Sequence, residues 1–148
     1  MKIFLLSLLL GAVLVTVIMH FFPKINYRSM PEGLCEGQLS SKKTNWVSSQ
    51  VKRTDTHYVE PLRLSDIETL ANCLKLKFPS MTVTEVNDSF LIAYRQSRVF
   101  NFVDWICIKK DGAVSASATL GHSDFGKNRE LVEQIRLLCQ GICGQQCD

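Results

Sequence analysis

The chain has 148 residues, enough for one domain with appendages and too few for several. Hydrophobic residues make up 46%, but unevenly: Ile3 to Phe22 holds no Asp, Glu, Lys or Arg, and every acidic residue and all but one basic residue follow it. The net charge of +3 is interspersed, with no basic cluster longer than Lys42-Lys43, Lys52-Arg53 and Lys109-Lys110, which excludes the concentrated basic stripe of a nucleic-acid binder.

Ile3 to Phe22 predicts an N-terminal transmembrane helix. At about 1.5 Å per residue the run rises about 30 Å, the depth of a bilayer core, and a helix satisfies its own backbone in lipid. The expected partner is therefore the lipid bilayer, met through residues 3-22. Phe21-Phe22, then Pro23 and Lys24, suit an interfacial boundary with a helix stop. A cleaved signal peptide is the rival reading, but Val17 to Tyr27 offers no small-x-small cleavage pair. Residues 1-23 thus read as an anchor. Residues 24-44, with Pro31, Gly33 and Gly37 among Ser, Asn and Lys, read as a tether. Lys24, Arg28, Lys42 and Lys43 outnumber Lys2, so basic charge alone favours a cytoplasmic domain.

Residues 45-140 predict the folded domain. Ser65 and Glu68 match a capping box, and Ile67, Leu70, Ala71, Leu74 and Phe78 follow at helical spacing until Pro79. An amphipathic helix is expected from Ser65 to Phe78. Strands are expected at Thr82 to Val86, at the alternating Phe90, Ile92 and Tyr94, and at Val103 to Ile108. Asp111-Gly112 marks a hairpin turn. Beyond it Val114, Ala116, Ala118 and Leu120 alternate with Ser115, Ser117 and Thr119, as in a half-buried strand with a polar face. After the loop Gly121 to Gly126, a second helix from Lys127 to Cys139 presents Leu131, Val132, Ile135, Leu138 and Ile142. The expected fold is α+β: an N-terminal transmembrane helix, then a four-stranded antiparallel sheet flanked by two amphipathic helices. Residues 141-148 form a Cys-containing tail.

The loop from Gly121 to Arg129 is the best candidate site. Two glycines bracket His122, Ser123 and Asp124, and the helix start beyond them presents free amides that attract anions. Lys127 and Arg129 add charge, and Arg98 can join them. The candidate ligand-binding set is Arg98, Asp104, His122, Ser123, Asp124, Asn128 and Arg129, for an unknown protein or a small anionic ligand. The plainer reading of these residues is structural: Asp124 or Ser123 caps the helix, the glycines allow the turn, and Arg129 pairs with Asp104. A hydrolase can also be assembled from Ser48 or Ser49, His57 or His122, and Asp104 or Asp124, although no nucleophile-elbow pattern surrounds either serine. Of six cysteines, Cys73 and Cys107 fall on elements that read as core. Cys35 is expected to bridge Cys139 or Cys143. Cys139, Cys143 and Cys147, four apart, are a poor match to zinc spacing. No metal or cofactor is expected.

The stretch Asn45-Trp46-Val47-Ser48-Ser49-Gln50, followed by His57-Tyr58-Val59-Glu60-Pro61-Leu62, resembles the opening of the domain-of-unknown-function family 1499. Ser97 to Asp104 and Gly121 to Arg129 continue the resemblance, which covers roughly residues 35 to 140. It implies no particular activity. It does imply a small exported or membrane-attached protein, often bacterial, which tips the domain to the extracytoplasmic side. The chain departs from the family pattern at Trp46, where a Cys is usual, and at Trp105, where a second acid is common. Ala118-Thr119 stands where an Arg is frequent. The expected protein is thus a single-pass protein of the bacterial inner membrane with its domain on the periplasmic side. Its expected role is that of a non-catalytic binding or accessory domain of the cell envelope, with a hydrolase as the alternative.

Overall fold

The computed structural model describes residues 2–21, 29–39, 43–97, 102–123 and 125–145. Helix α1 covers Lys2–Phe21 and exposes Leu5, Leu9, Val13 and other apolar side chains. Among the described residues, no helix is long and apolar enough to cross a membrane. This finding corrects the transmembrane helix expected over residues 3-22. The single-pass placement in a bacterial inner membrane, with the domain on the periplasmic side, is withdrawn with it.

Among the described residues the sheet has five antiparallel strands, not the four expected. Strands β2 (Met81–Val86), β3 (Phe90–Gln96), β4 (Val103–Lys109) and β5 (Val114–Ala118) form the meander, and β1 (Trp46–Ser48) adds at its edge, giving the order β1-β5-β4-β3-β2. Three residues are too few to display an alternating pattern, which needs at least four. Strand β1 exists because its backbone pairs with β5, Trp46 opposite Ser117 and Ser48 opposite Ser115. At the β4–β5 hairpin Gly112 has φ +87°, and a β-carbon there would collide with the carbonyl of Leu62. The turn therefore requires glycine.

Helices α2 (Ile67–Lys77) and α3 (Lys127–Gln145) cover one face of the sheet. The alternation of strand residues sends Leu91, Ala93, Ile106, Ile108, Val114 and Ala116 to that face, where they meet Leu70, Leu74, Leu131 and Ile135. The N-cap of α2 is Asp66, not Ser65. Asp66 is extended, and its carboxylate accepts from the Thr69 amide at 2.7 Å.

The opposite face is also covered. Ile92, Val103, Trp105 and Cys107 point there and pack on Leu34, which is fully buried. A disulfide from Cys35 to Cys107, with 5.3 Å between α-carbons, pins the segment containing Leu34. The bridge expected from Cys35 to Cys139 or Cys143 is thereby corrected: Cys35 is joined to Cys107, Cys139 is buried in the helix-side core, and the side chain of residue 143 lies outside those described. Because this segment lies over the sheet, Ser115 and Ser117 are buried instead of forming the solvent-facing polar face expected of β5. Gly37 permits the close approach. It sits at φ +68°, and a β-carbon would fall 2.7 Å from the Ser48 hydroxyl.

Candidate functional site

The loop after β5 is shaped by one buried side chain. Asn45 is fully buried, and its Nδ2 donates to the carbonyls of Ala118 (3.1 Å), Leu120 (3.2 Å) and Gly121 (2.9 Å). Its own carbonyl accepts from Asn128 Nδ2 at 2.8 Å, which fastens α3 to the same point. Thr44 holds the His122 carbonyl with both its amide and its hydroxyl, each at 2.9 Å. A loop that would otherwise be free at the sheet edge is thus gripped by the residues just before β1.

Beside this loop lies a pocket of ≈ 670 Å³, lined by Arg95, Phe102, Asp104, Leu120, Ser123, Phe125 and Lys127, among others. Its wall is mainly hydrocarbon. At its base Arg95 Nη2 meets Asp104 Oδ2 at 3.0 Å, and the same nitrogen lies 3.4 Å from the Lys127 carbonyl. At the rim Lys127 Nζ pairs with Glu130 at 2.6 Å. The Lys127 hydrogen bond, and after it the lysine charge, holds the Glu130 carboxyl below the ordinary range. Both cations that line the pocket therefore carry a carboxylate partner. Phe125 stands at the mouth, 94% exposed, with φ +53°. A bulky side chain in the left-handed region is a conformational outlier, held here between Ser123, whose hydroxyl accepts from the Phe125 amide at 3.2 Å, and Gly126.

The candidate set from sequence is divided by this geometry. Asp104 and Ser123 line the pocket. Arg98 and Asp124 lie outside the described residues. His122 is exposed and contributes its carbonyl to Thr44. Asn128 is fully buried and serves the Asn45 carbonyl. Arg129 does not pair with Asp104. It reaches across to donate to the carbonyls of Tyr58 (2.7 Å) and Thr56 (2.8 Å). Arg95, Phe102, Leu120 and Phe125 were not among the predicted site residues. The meander register, which sets Arg95 opposite Asp104, and an aromatic residue in a polar loop were the available signals.

The serines of the hydrolase reading are engaged elsewhere. Ser48 Oγ shares a 2.8 Å hydrogen bond with Ser115 Oγ, and Ser49 Oγ accepts from the Val114 amide at 2.8 Å. His57 Nδ1 is bonded to Asp55 at 2.8 Å. Among the described residues no serine hydroxyl is hydrogen-bonded to a histidine, the contact that serine activation requires. Nor do those residues contain a cluster of three or more His, Cys, Asp or Glu able to hold a metal.

A family model described as protein of unknown function, DUF1499, matches residues 38–138. The chain belongs to this DUF1499 family. No curated protein and no solved structure matches it. The matched stretch takes in all five strands, α2 and most of α3, so the DUF1499 region includes both the pocket and the Asn45 hub that shapes it. Each departure from the family pattern noted in this DUF1499 chain has a place in the structure. Trp46 stacks on His57, with ring centroids 4.0 Å apart. Trp105 joins the core beneath Leu34. Ala118 stands opposite Asp104 in the β4–β5 register, and Arg95 supplies the cation there from the other side.

Proposed function

We propose that the domain is a non-catalytic binding module for a small amphipathic ligand, with an apolar body and an anionic group, held in the pocket between β4 and the start of α3. Phe125 carries this reading. An aromatic side chain kept fully in solvent on a left-handed backbone loses conformational energy and buries nothing, and such outliers gather at ligand clamps. Closing over an apolar body would recover its burial, worth about 2 kcal/mol for a phenyl ring. Phe102 and Leu120 supply the rest of the apolar wall. Arg95 and Lys127 lie within it as donors for the anionic end, and a guanidinium can serve Asp104 and a ligand oxygen together.

Anilinonaphthalene sulfonate, which combines an aromatic body with an anion, tests the reading. The folded chain should bind it saturably with a rise in fluorescence. Phe125→Ser should weaken that binding about tenfold, the equivalent of about 1.4 kcal/mol. An uncharged anilinonaphthalene should bind more weakly than the sulfonate. Equal affinity of wild type and Phe125→Ser for the sulfonate would remove the proposal.

A further inference from the structure

The geometry points to a redox-latched cover: reduction of the Cys35–Cys107 bridge frees residues 29–39 to lift from the second face of the sheet and bare Ile92, Val103 and Trp105. The segment is built as a separate unit. Its backbone hydrogen bonds run within it, from the Leu34 amide to the Pro31 carbonyl (3.3 Å), from Gly37 to Leu34 (3.2 Å) and from Gln38 to Gly33 (3.0 Å). Lifting the unit breaks none of them. Among the described residues one hydrogen bond crosses from it to the rest of the domain, Gln50 Nε2 to the Cys35 carbonyl at 3.1 Å. The helix-side core contains no residue of the cover, so that core stays whole when the cover moves. One flank is not packed down: a cavity of ≈ 830 Å³ is lined by Pro31, Glu32 and Gly33 from the cover and by Ser117, Ala118 and Thr119 from the sheet side.

The closed position is opposed from within. Trp105 is 7% exposed, and its Nε1 is buried with no acceptor among the described residues. A buried donor left unmade favours any state that hydrates it, and a lifted cover admits water to the indole. The conformational entropy of residues 29–39 also favours lifting. Against this stand the burial of Leu34 on Ile92, Val103 and Trp105 and the single bond from Gln50. The covalent tie decides the balance, since it forbids the separation that the other terms allow.

The latch can be reached from outside. Cys35 is half-buried while Cys107 is 1% exposed, so a reductant meets the bridge at Cys35. The thiolate of a small dithiol attacks Cys35 Sγ, the bond between the two sulfurs breaks, and Cys107 leaves as a thiolate that takes up a proton. The second thiol of the reagent then displaces Cys35 from the mixed disulfide. The dithiol is oxidised to its own disulfide, and the chain gains two electrons and two protons as two thiols.

Native-state labelling of the full chain tests the latch. Without reductant, iodoacetamide should spare both cysteines. After treatment with dithiothreitol, Cys107 should be alkylated at a rate within about tenfold of Cys35, and amide exchange at residues 33–38 should quicken by about tenfold or more. The amides of Leu70, Leu74 and Ile135 should keep their protection, which marks the opening as local. Cys35→Ser, changed at the half-buried end of the bridge, should expose Cys107 to alkylation with no reductant present. Three results would overturn the proposal: a bridge that dithiothreitol leaves intact in the folded chain, a Cys107 that stays unlabelled after reduction, or core amides that lose protection together with residues 33–38.

Discussion

Arg95 and Asp104 stand opposite each other in the β3–β4 register and join through a 3.0 Å ion pair in which the side chains are only 19% and 16% exposed. Arg95 also reaches the carbonyl of Lys127, so one guanidinium links the sheet to the first turn of α3. The pocket beside α3 thus has a charged base under apolar walls. Such a pair contributes less to net stability than to position, because desolvation offsets most of its attraction.

Removing one partner should be far more harmful than removing both. Asp104→Asn leaves a largely buried guanidinium without its counter-charge and should cost about 2–4 kcal/mol in urea unfolding. Arg95→Met combined with Asp104→Leu should recover at least half of that loss. Equal destabilisation by single and double variants would show that the pair is not coupled in this way.

Phe125 should separate stability from binding. Glycine adopts φ +53° without strain, so Phe125→Gly should raise the unfolding free energy by about 1 kcal/mol while weakening anilinonaphthalene sulfonate about tenfold. A side chain 94% exposed has no core contacts to lose. A fall in stability with Gly would mean that the ring packs against the pocket in solution.

The Cys35–Cys107 bridge closes a loop across a sequence separation of 72 residues, for which chain entropy predicts about 4 kcal/mol of stabilisation. Cys35→Ser should lower stability by up to that amount and speed hydrogen exchange at residues 33–38, which then keep Leu34 packing and the Gln50 hydrogen bond to the residue-35 carbonyl but lose their covalent tie to the sheet. Alkylation in denaturant without reductant should spare Cys35 and Cys107 and label Cys73. Labelling at Cys35 before reduction would contradict the pairing.

Three carboxyl groups should make the fold acid-sensitive. Asp66, Asp55 and Glu130 are each held below their ordinary values, chiefly by hydrogen bonds from Thr69, His57 and Lys127 respectively. A depressed folded-state pKa means that the unfolded chain binds protons first. These contributions are complete above the ordinary values of 3.8 for Asp and 4.5 for Glu, and are lost as pH falls through the lower folded values. Asp66→Asn keeps a capping oxygen but cannot titrate, so its stability should decline less steeply below pH 4 than wild type. An identical acid limb would exclude Asp66 as a contributor.

The helices and the four-strand meander were legible because their signals are local. Ile67, Leu70, Ala71 and Leu74 repeat with the helical period, Phe90, Ile92 and Tyr94 alternate, and Asp111-Gly112 requires a turn; all appear in the fold as β3, the β4–β5 hairpin and the buried face of α2. The last loop was legible as a candidate site, with Asp104 and Ser123 lining its pocket. The pocket's other walls were not, since Arg95 and Phe102 come from β3 and the approach to β4 and meet the loop only across the sheet.

Periodicity and turn chemistry by themselves determined which segments become helix or strand, because both act between residues a few positions apart. Tertiary structure alone decided the rest. It gave Trp46–Ser48 a partner strand and brought Cys35 to Cys107 across 72 positions. It buried Ser115 and Ser117 by laying Leu34 over the second face, and it turned Arg129 from Asp104 to the carbonyls of Thr56 and Tyr58. Each depends on where the backbone returns in space, and no spacing along the chain encodes that return.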